Sequence, residues 1–290
     1  MSLGVKIAVI GAGRIGQTLI KAFLDTKLVQ PENMMATTRH PETLEAVEQA
    51  FGLKTTLDNA AACRFADVIL LCVKPQGTDQ VLAEIFPAMT PKKLVITTIA
   101  SVPTSFVEKT LGQAIPVIRT MPNTPCLIRN GMTGIAAGAY VKAPHLELAK
   151  KLFDTLGRSV VLEEKHLDAV TGLSGCGPAF MYMVIEAMAA GGVKMGLPHD
   201  IATLLAAQTM MGAGNMVLET GEHPAVLKDA VTTPAGCTID GILALEEGAL
   251  RVTLIKAVVH ATQRARRLFS QANRLPGRPA TRKGKRRATG

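Results

Sequence analysis

The chain has no cysteine pair at C-x-x-C spacing, no uninterrupted apolar run of 18 residues and no histidine cluster at metal-ligand spacing. Each absence excludes something. Five scattered cysteines (Cys63, Cys72, Cys126, Cys176, Cys237) form neither a disulfide framework nor a zinc site, and they read as reduced thiols of a cytosolic protein. The longest apolar stretch, from Phe180 onward, is broken by Glu186 and Lys194, so no membrane span is expected. The apolar residues Ile7 to Ile10 run directly into glycines rather than into a cleavage site, so no secretory leader is expected. His40, His145, His166, His199, His223 and His260 read as structural, and no metal is expected. Charged residues are only 19% against 48% hydrophobic, which excludes a disordered chain.

The formal charge of +9 has a single source. Ten Lys/Arg and no acid lie from Arg264 onward, whereas the preceding residues carry 22 bases against 23 acids. The body therefore lacks the basic surface of a nucleic-acid binder, and no specific nucleic-acid partner is expected. From Arg274 the chain holds seven bases, with proline and glycine and little to bury. A disordered basic tail over 273–290 is expected there.

What remains, at 290 residues, is enough for two domains. Residues 1–164 alternate strand-like runs (6–10, 34–38, 67–73, 94–98, 116–120, 134–137, 159–162) with amphipathic stretches (13–25, 41–51, 76–86, 144–156). This alternation predicts an α/β fold with a doubly wound, mostly parallel sheet, whose ligands bind outside the carboxyl ends of the strands. Residues 165–272 contain no convincing strand; Met181, Ile185, Met188 and Ala189 recur at helical spacing. An all-α second domain is expected, with helices near 167–173, 177–195, 198–220, 224–231 and 238–271, the last broken near Gly248. Its Ala, Met and Gly content suits close helix packing, including burial against a second subunit.

The first strand runs into Gly11-Ala12-Gly13-Arg14-Ile15-Gly16, a G-x-G-x-x-G turn opening a helix. In that setting Gly11 permits the tight turn, Gly13 admits a pyrophosphate and Gly16 lets helix pack on strand, while the helix N-terminus favours phosphate. An NAD-selective site places an acid at the end of the second strand. Here Ala36-Thr-Thr-Arg-His-Pro41 has none, whereas Thr38 and Arg39 can hydrogen-bond a 2′-phosphate. NADPH is therefore expected over NADH. Val73, Lys74 and Pro75, together with Thr98, Ile99 and Ala100, follow later strands and are expected at the same rim. So is Met121-Pro-Asn-Thr-Pro125, stiffened by its prolines.

Two stretches of the helical half are rich in small, turn-forming residues, Gly172–Phe180 and Val231–Gly241. The second places Thr232, Thr233, Gly236 and Thr238 at a helix start, where free amides suit a carboxylate. No strong base accompanies them. This fits hydride delivery to an already electrophilic carbon.

These segments together closely resemble pyrroline-5-carboxylate reductases over residues 5–271. The resemblance rests on GAGRIG at 11–16, CVKPQ at 72–76, RTMPNTP at 119–125, GLSGCGPAF at 172–180, GVKMGLP at 192–198 and LKDAVTTPAGCTIDGILALE at 227–246. It implies a Rossmann domain, a helical domain interlocked in a homodimer that often assembles further into decamers, and NADPH-dependent reduction of a cyclic imine acid to proline. Thr238 matches the threonine that bonds the ring nitrogen and is the implied proton donor. Gly236, Cys237 and Thr238 match the carboxylate-holding turn, with Val231 and Thr233 lining the pocket. Asn59 matches an asparagine near the adenine ribose. The chain departs from the family's Pro-Gly-Gly-Thr-Thr and Ser-Gly-Ser-Gly-Pro, with Ala235, Cys237 and Cys176 standing in their place. A different cyclic imine acid, such as a six-membered ring, stays open as substrate. A β-hydroxyacid dehydrogenase would need a lysine near Met181, where there is none before Lys194. A non-catalytic NADP sensor would not need both the glycine turn and the 227–246 segment.

Overall fold

A computed structural model describes residues 3–112 and 114–272. The expected disordered tail, 273–290, lies outside the described residues. The chain forms two compact units. Of the described residues, the first takes those through Pro122, then Cys126–Asp168, and those from Gln263 to Ala272; the second takes Asn123–Pro125 and Ala169–Thr262.

The first unit is built on eight strands: β1 Ile7–Ile10, β2 Met34–Thr37, β3 Lys54–Thr56, β4 Val68–Leu71, β5 Leu94–Thr97, β6 Val117–Met121, β7 Gly131–Ala137 and β8 Gly157–Val161. They form one sheet in the order β3-β2-β1-β4-β5-β6-β7-β8. All neighbours are parallel except β6 and β7. The connection between β6 and β7 is too short for a crossover, so β7 returns antiparallel. The helices of this unit are α1 Arg14–Asp25, α2 Pro41–Phe51, α3 Asn59–Phe65, α4 Thr78–Ile85, α5 Thr104–Leu111 and α6 Ala143–Asp154; α7 Leu167–Val170 begins in it and ends in the second.

The strands are apolar on both faces because both faces are covered. Ile7, Val9, Val68, Leu70 and Leu94 enter one buried cluster, whereas Ala8, Ile10, Ile69, Leu71 and Val95 enter the other. Each fully buried Val, Leu or Ile side chain among them contributes roughly 1.5–3 kcal/mol. The strand order reverses direction between β1 and β4, and the carboxyl ends of those two strands are where such a sheet holds its ligand.

A buried ionic cluster ties the late strands to the end of this unit. Arg119, on β6, lies 3.1 Å from Asp168 and 3.5 Å from Glu164. The Glu164 carboxylate also accepts from the Thr104 amide at 2.8 Å and the Thr104 hydroxyl at 2.7 Å, capping α5. Beside it, Ser101 adopts a left-handed φ of 66° and its hydroxyl donates to the Ala265 carbonyl at 2.7 Å.

In the second unit a π-helical turn, Thr171–Gly175, leads into α8 Gly177–Lys194, followed by α9 His199–Thr220, α10 Pro224–Ala230 and α11 Cys237–Glu247; α12 Leu250–Ala272 begins here and ends in the first unit. The expected helix near 167–173 is thus α7 plus the π turn. The expected break near Gly248 falls at Ala249, whose φ is +52°. Helices α8 and α9 pack through Ala189, Ala202 and Ala206. These small residues bury little, while Met183, Leu204 and Leu243 are 69%, 64% and 58% exposed. Apolar surface of this extent is uncommon on a monomeric soluble protein.

Two helical stretches, Glu164–Lys194 and His199–Thr220, are apolar and long enough to cross a bilayer by length and composition. The sequence expectation of no span rests on the stretch from Phe180, which Glu186 and Lys194 interrupt; it does not weigh His199–Thr220. Averaged hydropathy passes over Glu186 and Lys194 because Ala and Met dominate around them.

Candidate active site

The nucleotide cleft grows from the β1–α1 turn. Gly11 has φ +96°, and a Cβ there would sit 2.8 Å from Val73 Cγ1, so conformation and space both require glycine. A Cβ on Gly16 would stand 2.5 Å from the Gly11 carbonyl oxygen, whereas one on Gly13 would meet nothing within 4 Å. Gly13 is thus not needed by the protein's own packing; the open space at its Cα is where a ligand can approach. It is also the N-cap of α1 and offers no side chain to the first-turn amides, which leaves them to an anion. Gly16→Ala is accordingly expected to lower Tm, and Gly13→Ala to leave Tm unchanged while weakening dinucleotide binding. Thermal melts with and without dinucleotide separate the two effects.

A cleft of about 520 Å³ opens beside this turn. It is lined by Gly11, Ala12, Gly13, Thr38, Arg39, Val73 and Lys74, among others. An adjoining pocket of about 390 Å³ is bounded by Thr37, Thr38, Arg39, Leu57, Asn59 and Glu84. The backbone holds the two together: Gly11 and Ala12 N–H both donate to the Thr37 carbonyl, at 3.2 and 2.7 Å. The Thr38 hydroxyl oxygen accepts from the His40 amide at 3.4 Å, so its proton is free to donate elsewhere. Arg39 is exposed and makes no ion pair among the described residues. Its guanidinium lies over Gly77, where a Cβ would come within 2.6 Å of Nη2.

Other expected cofactor residues line neither cavity. Arg14 lines a separate small hollow with Gln17, Lys21 and Leu127. Ile15 is half-buried against the core and Gly16 is buried at the helix–strand contact. Pro75 opens the short 3-10 turn that ends at Gly77. Thr98 lies behind Cys72, its amide and hydroxyl donating to the Leu71 carbonyl at 3.0 and 3.2 Å. Ile99 is buried in the core, and half-buried Ala100 follows it. Cys72 itself is on the cleft floor, and burial pushes its thiol up to about 12, with a Thr98 hydrogen bond acting the other way. It is a neutral wall, not a nucleophile.

Sequence reasoning missed Thr37 and Glu84. The Thr37 hydroxyl donates to Asn59 Oδ1 at 2.6 Å, and Asn59 Nδ2 donates to Glu84 at 2.6 Å. Gln80, one turn earlier on α4, donates to the other Glu84 oxygen at 2.8 Å. The i, i+4 pairing of Gln80 and Glu84 was visible in sequence; its meeting with Asn59 across 25 residues was not.

In the second unit Val231–Thr238 forms the approach to α11. Ala235 has φ +56°, a left-handed conformation that costs a non-glycine residue roughly 1–2 kcal/mol. The departure from glycine at this position thus falls where glycine would relax the backbone. Gly236 is the N-cap of α11, and a Cβ on it would sit 2.3 Å from Thr233 Oγ1. Its amide donates to the Thr233 carbonyl at 3.1 Å. The first-turn positions Cys237 and Thr238 have no capping side chain, and both residues are exposed, as are Val231 and Thr233. Asn123 reaches the π turn, its Nδ2 donating to the Ser174 carbonyl at 3.0 Å.

A strand order of this kind with a glycine turn at its switch point defines a dinucleotide-binding oxidoreductase unit. In agreement, residues 6–101 match the family model described as NADP oxidoreductase, coenzyme F420-dependent, and residues 164–268 match pyrroline-5-carboxylate reductase dimerisation. The chain is 42% identical to pyrroline-5-carboxylate reductase of Methanosarcina acetivorans, over 91% of this chain and 97% of that protein. It is 37% identical to that of Synechocystis, over 92% and 99%. Among solved structures, pyrroline-5-carboxylate reductase of Coxiella burnetii matches with a TM-score of 0.84 at 33% identity, covering 91% of this chain and 98% of that one. The Plasmodium falciparum enzyme with NADP bound matches with a TM-score of 0.84 at 27% identity, over 93% and 100%. The chain belongs to the pyrroline-5-carboxylate reductase family.

Proposed function

We propose that the chain reduces 1-pyrroline-5-carboxylate to L-proline with NADPH, in the cytoplasm, where its free cysteines stay reduced. The observation that carries this reading is the pairing in one chain of a phosphate-ready glycine turn with an uncapped α11 start bearing Thr238. The cleft fits the dinucleotide: Gly13 leaves room for a pyrophosphate, and the β2 end presents Thr38 and Arg39 rather than an acid. Gly11–Gly16 and the α1 N-terminus hold the phosphates, Thr38 and Arg39 the 2′-phosphate, and Asn59 the ribose. Val73 and Lys74 form the rim on which the nicotinamide half rests, with Pro75 and Thr98–Ala100 supporting it from outside the cleft.

Bound NADPH supplies the hydride for the imine carbon. As the C=N π pair moves to the ring nitrogen, that nitrogen takes a proton from the Thr238 hydroxyl, directly or through water. The amides of the 236–238 turn hold the substrate carboxylate, with Val231 and Thr233 beside it. Because the Gly236 amide is engaged by Thr233, those of Cys237 and Thr238 carry most of that contact. Orientation supplies much of the acceleration. Helices α8–α12 form a homodimer, with a decamer as the larger assembly, and their apolar faces rest against protein rather than lipid. Mass in solution tests the assembly: a dimer or multiple of it is expected at micromolar concentration, and a monomer contradicts it.

The enzymatic test is NADPH oxidation with pyrroline-5-carboxylate beside its six-membered homologue. Faster turnover of the five-membered ring, with proline as product, is expected. Preference for the larger ring would reassign the substrate, and no turnover of either would leave only a dinucleotide-binding protein.

A further inference from the structure

We propose that Glu84 is a cofactor-specificity residue: its carboxylate accepts from the ribose hydroxyls of the adenosine end and keeps the cleft open to NADH as well as NADPH. The assignment rests on the nucleotide reading given above. The end of β2 carries no acid, yet the pocket next to it does hold one, delivered from α4 on the opposite wall.

The carboxylate is oriented by a directed chain of hydrogen bonds. Gly11 N–H donates to Thr37 Oγ1 at 3.3 Å, Thr37 O–H to Asn59 Oδ1, and Asn59 Nδ2–H to Glu84. Every donor in the chain points toward the negative charge, and Gln80 fixes the second oxygen. Such a chain sets the Asn59 amide with its nitrogen toward Glu84 and its oxygen toward Thr37. Each Glu84 oxygen accepts one hydrogen bond in this arrangement, and a carboxylate oxygen has room for a second.

The pocket therefore holds charges of both signs. Arg39 and Glu84 line the same pocket but form no ion pair with each other among the described residues, so both stay available to a ligand. A 2′-phosphate gains from Arg39 and is repelled by Glu84; a 2′,3′-diol gains acceptors from Glu84 and nothing from the charge of Arg39. Selectivity is then the difference between two opposed contacts, and each can be removed alone.

The test is Glu84→Gln, which keeps the shape and removes the charge at an exposed position. Dissociation constants for NADH and NADPH are read from dihydronicotinamide fluorescence, which suits a chain without tryptophan. The NADH constant is expected to rise about fivefold or more, the scale of one lost hydrogen bond, with NADPH unchanged or tighter. The ratio of kcat/KM values should shift in the same direction. If both constants rise together, Glu84 only positions Asn59 and the specificity role is overturned; it is equally overturned if neither moves. Wild-type protein that binds neither dinucleotide would overturn the nucleotide reading itself, and this assignment with it.

Discussion

Thr238→Ala is expected to lower kcat by more than about tenfold while leaving NADPH affinity unchanged. The argument begins with the fold. Thr238 is the second residue of α11, next to a glycine N-cap, so its hydroxyl and amide sit at the same exposed helix start. Among the residues proposed for that turn it carries the only hydroxyl on the helix itself, since Cys237 is a weaker donor. Removing the hydroxyl takes the nearest proton source from the ring nitrogen and leaves the carboxylate-binding amides in place. The loss should therefore appear in kcat more than in KM. Thr238→Ser should recover most of the rate. A Thr238→Ala rate near that of the wild type would remove the residue from the chemistry, and water alone would then supply the proton.

Arg39→Ala is expected to cut kcat/KM for NADPH by roughly ten- to a hundredfold, the range of a charge-assisted hydrogen bond, with NADH affected less than about twofold. Among the described residues Arg39 has no competing carboxylate partner, and its guanidinium is parked over Gly77, where only the absence of a Cβ makes room. Gly77→Ala should displace the guanidinium and weaken NADPH in the same direction by less, because a flexible side chain moves more cheaply than backbone. An equal loss with both cofactors would mean that Arg39 acts through the structure of the β2–α2 connection. Because the gain is electrostatic and exposed, the NADPH preference should also shrink as salt is raised.

The fold of the first unit was legible where burial on both faces leaves a strong mark. The runs at Ile7–Ile10 and Val68–Leu71 are wholly aliphatic strands and Leu94–Thr97 is so up to its last residue, and each falls at a position the sequence indicates. Strand β3 escaped notice because Lys54-Thr55-Thr56 is short and sits at the sheet edge, with no apolar period to read. Helix α3 carried a usable signal, the Asp58 side chain accepting from the Ala61 amide at 3.0 Å, but it has only seven residues. Helix α5 is capped by Glu164, a residue 60 positions away, and no local reading reaches that far. The antiparallel return of β7 follows from a connection length rather than from strand composition.

The site divided in the same way. The glycine turn was legible because each glycine answers a local steric demand, as Gly11 and Gly16 show. The Thr37–Asn59–Glu84 chain was not, because it joins three elements whose neighbourhood exists only once β1, β2 and β4 have paired. The cost of Ala235 likewise needed a backbone angle, since a methyl in place of glycine reads in sequence as a change of pocket shape. The Met and Leu of α8–α11 read in sequence as a helix-packing core, with burial against a second subunit as a further expectation. Only the structure shows that alanines alone are buried between α8 and α9.

The central claim is that a dihydronicotinamide meets an imine acid whose carboxylate is held at the start of α11. A structure of the oligomer with NADP⁺ and proline tests it most directly. The account predicts the proline carboxylate on the Cys237 and Thr238 amides, the Thr238 hydroxyl within hydrogen-bond reach of the ring nitrogen, and the nicotinamide C4 about 3–3.5 Å from the ring carbon that takes the hydride. A carboxylate bound away from the 236–238 turn, or a nicotinamide turned from the ring, would contradict it.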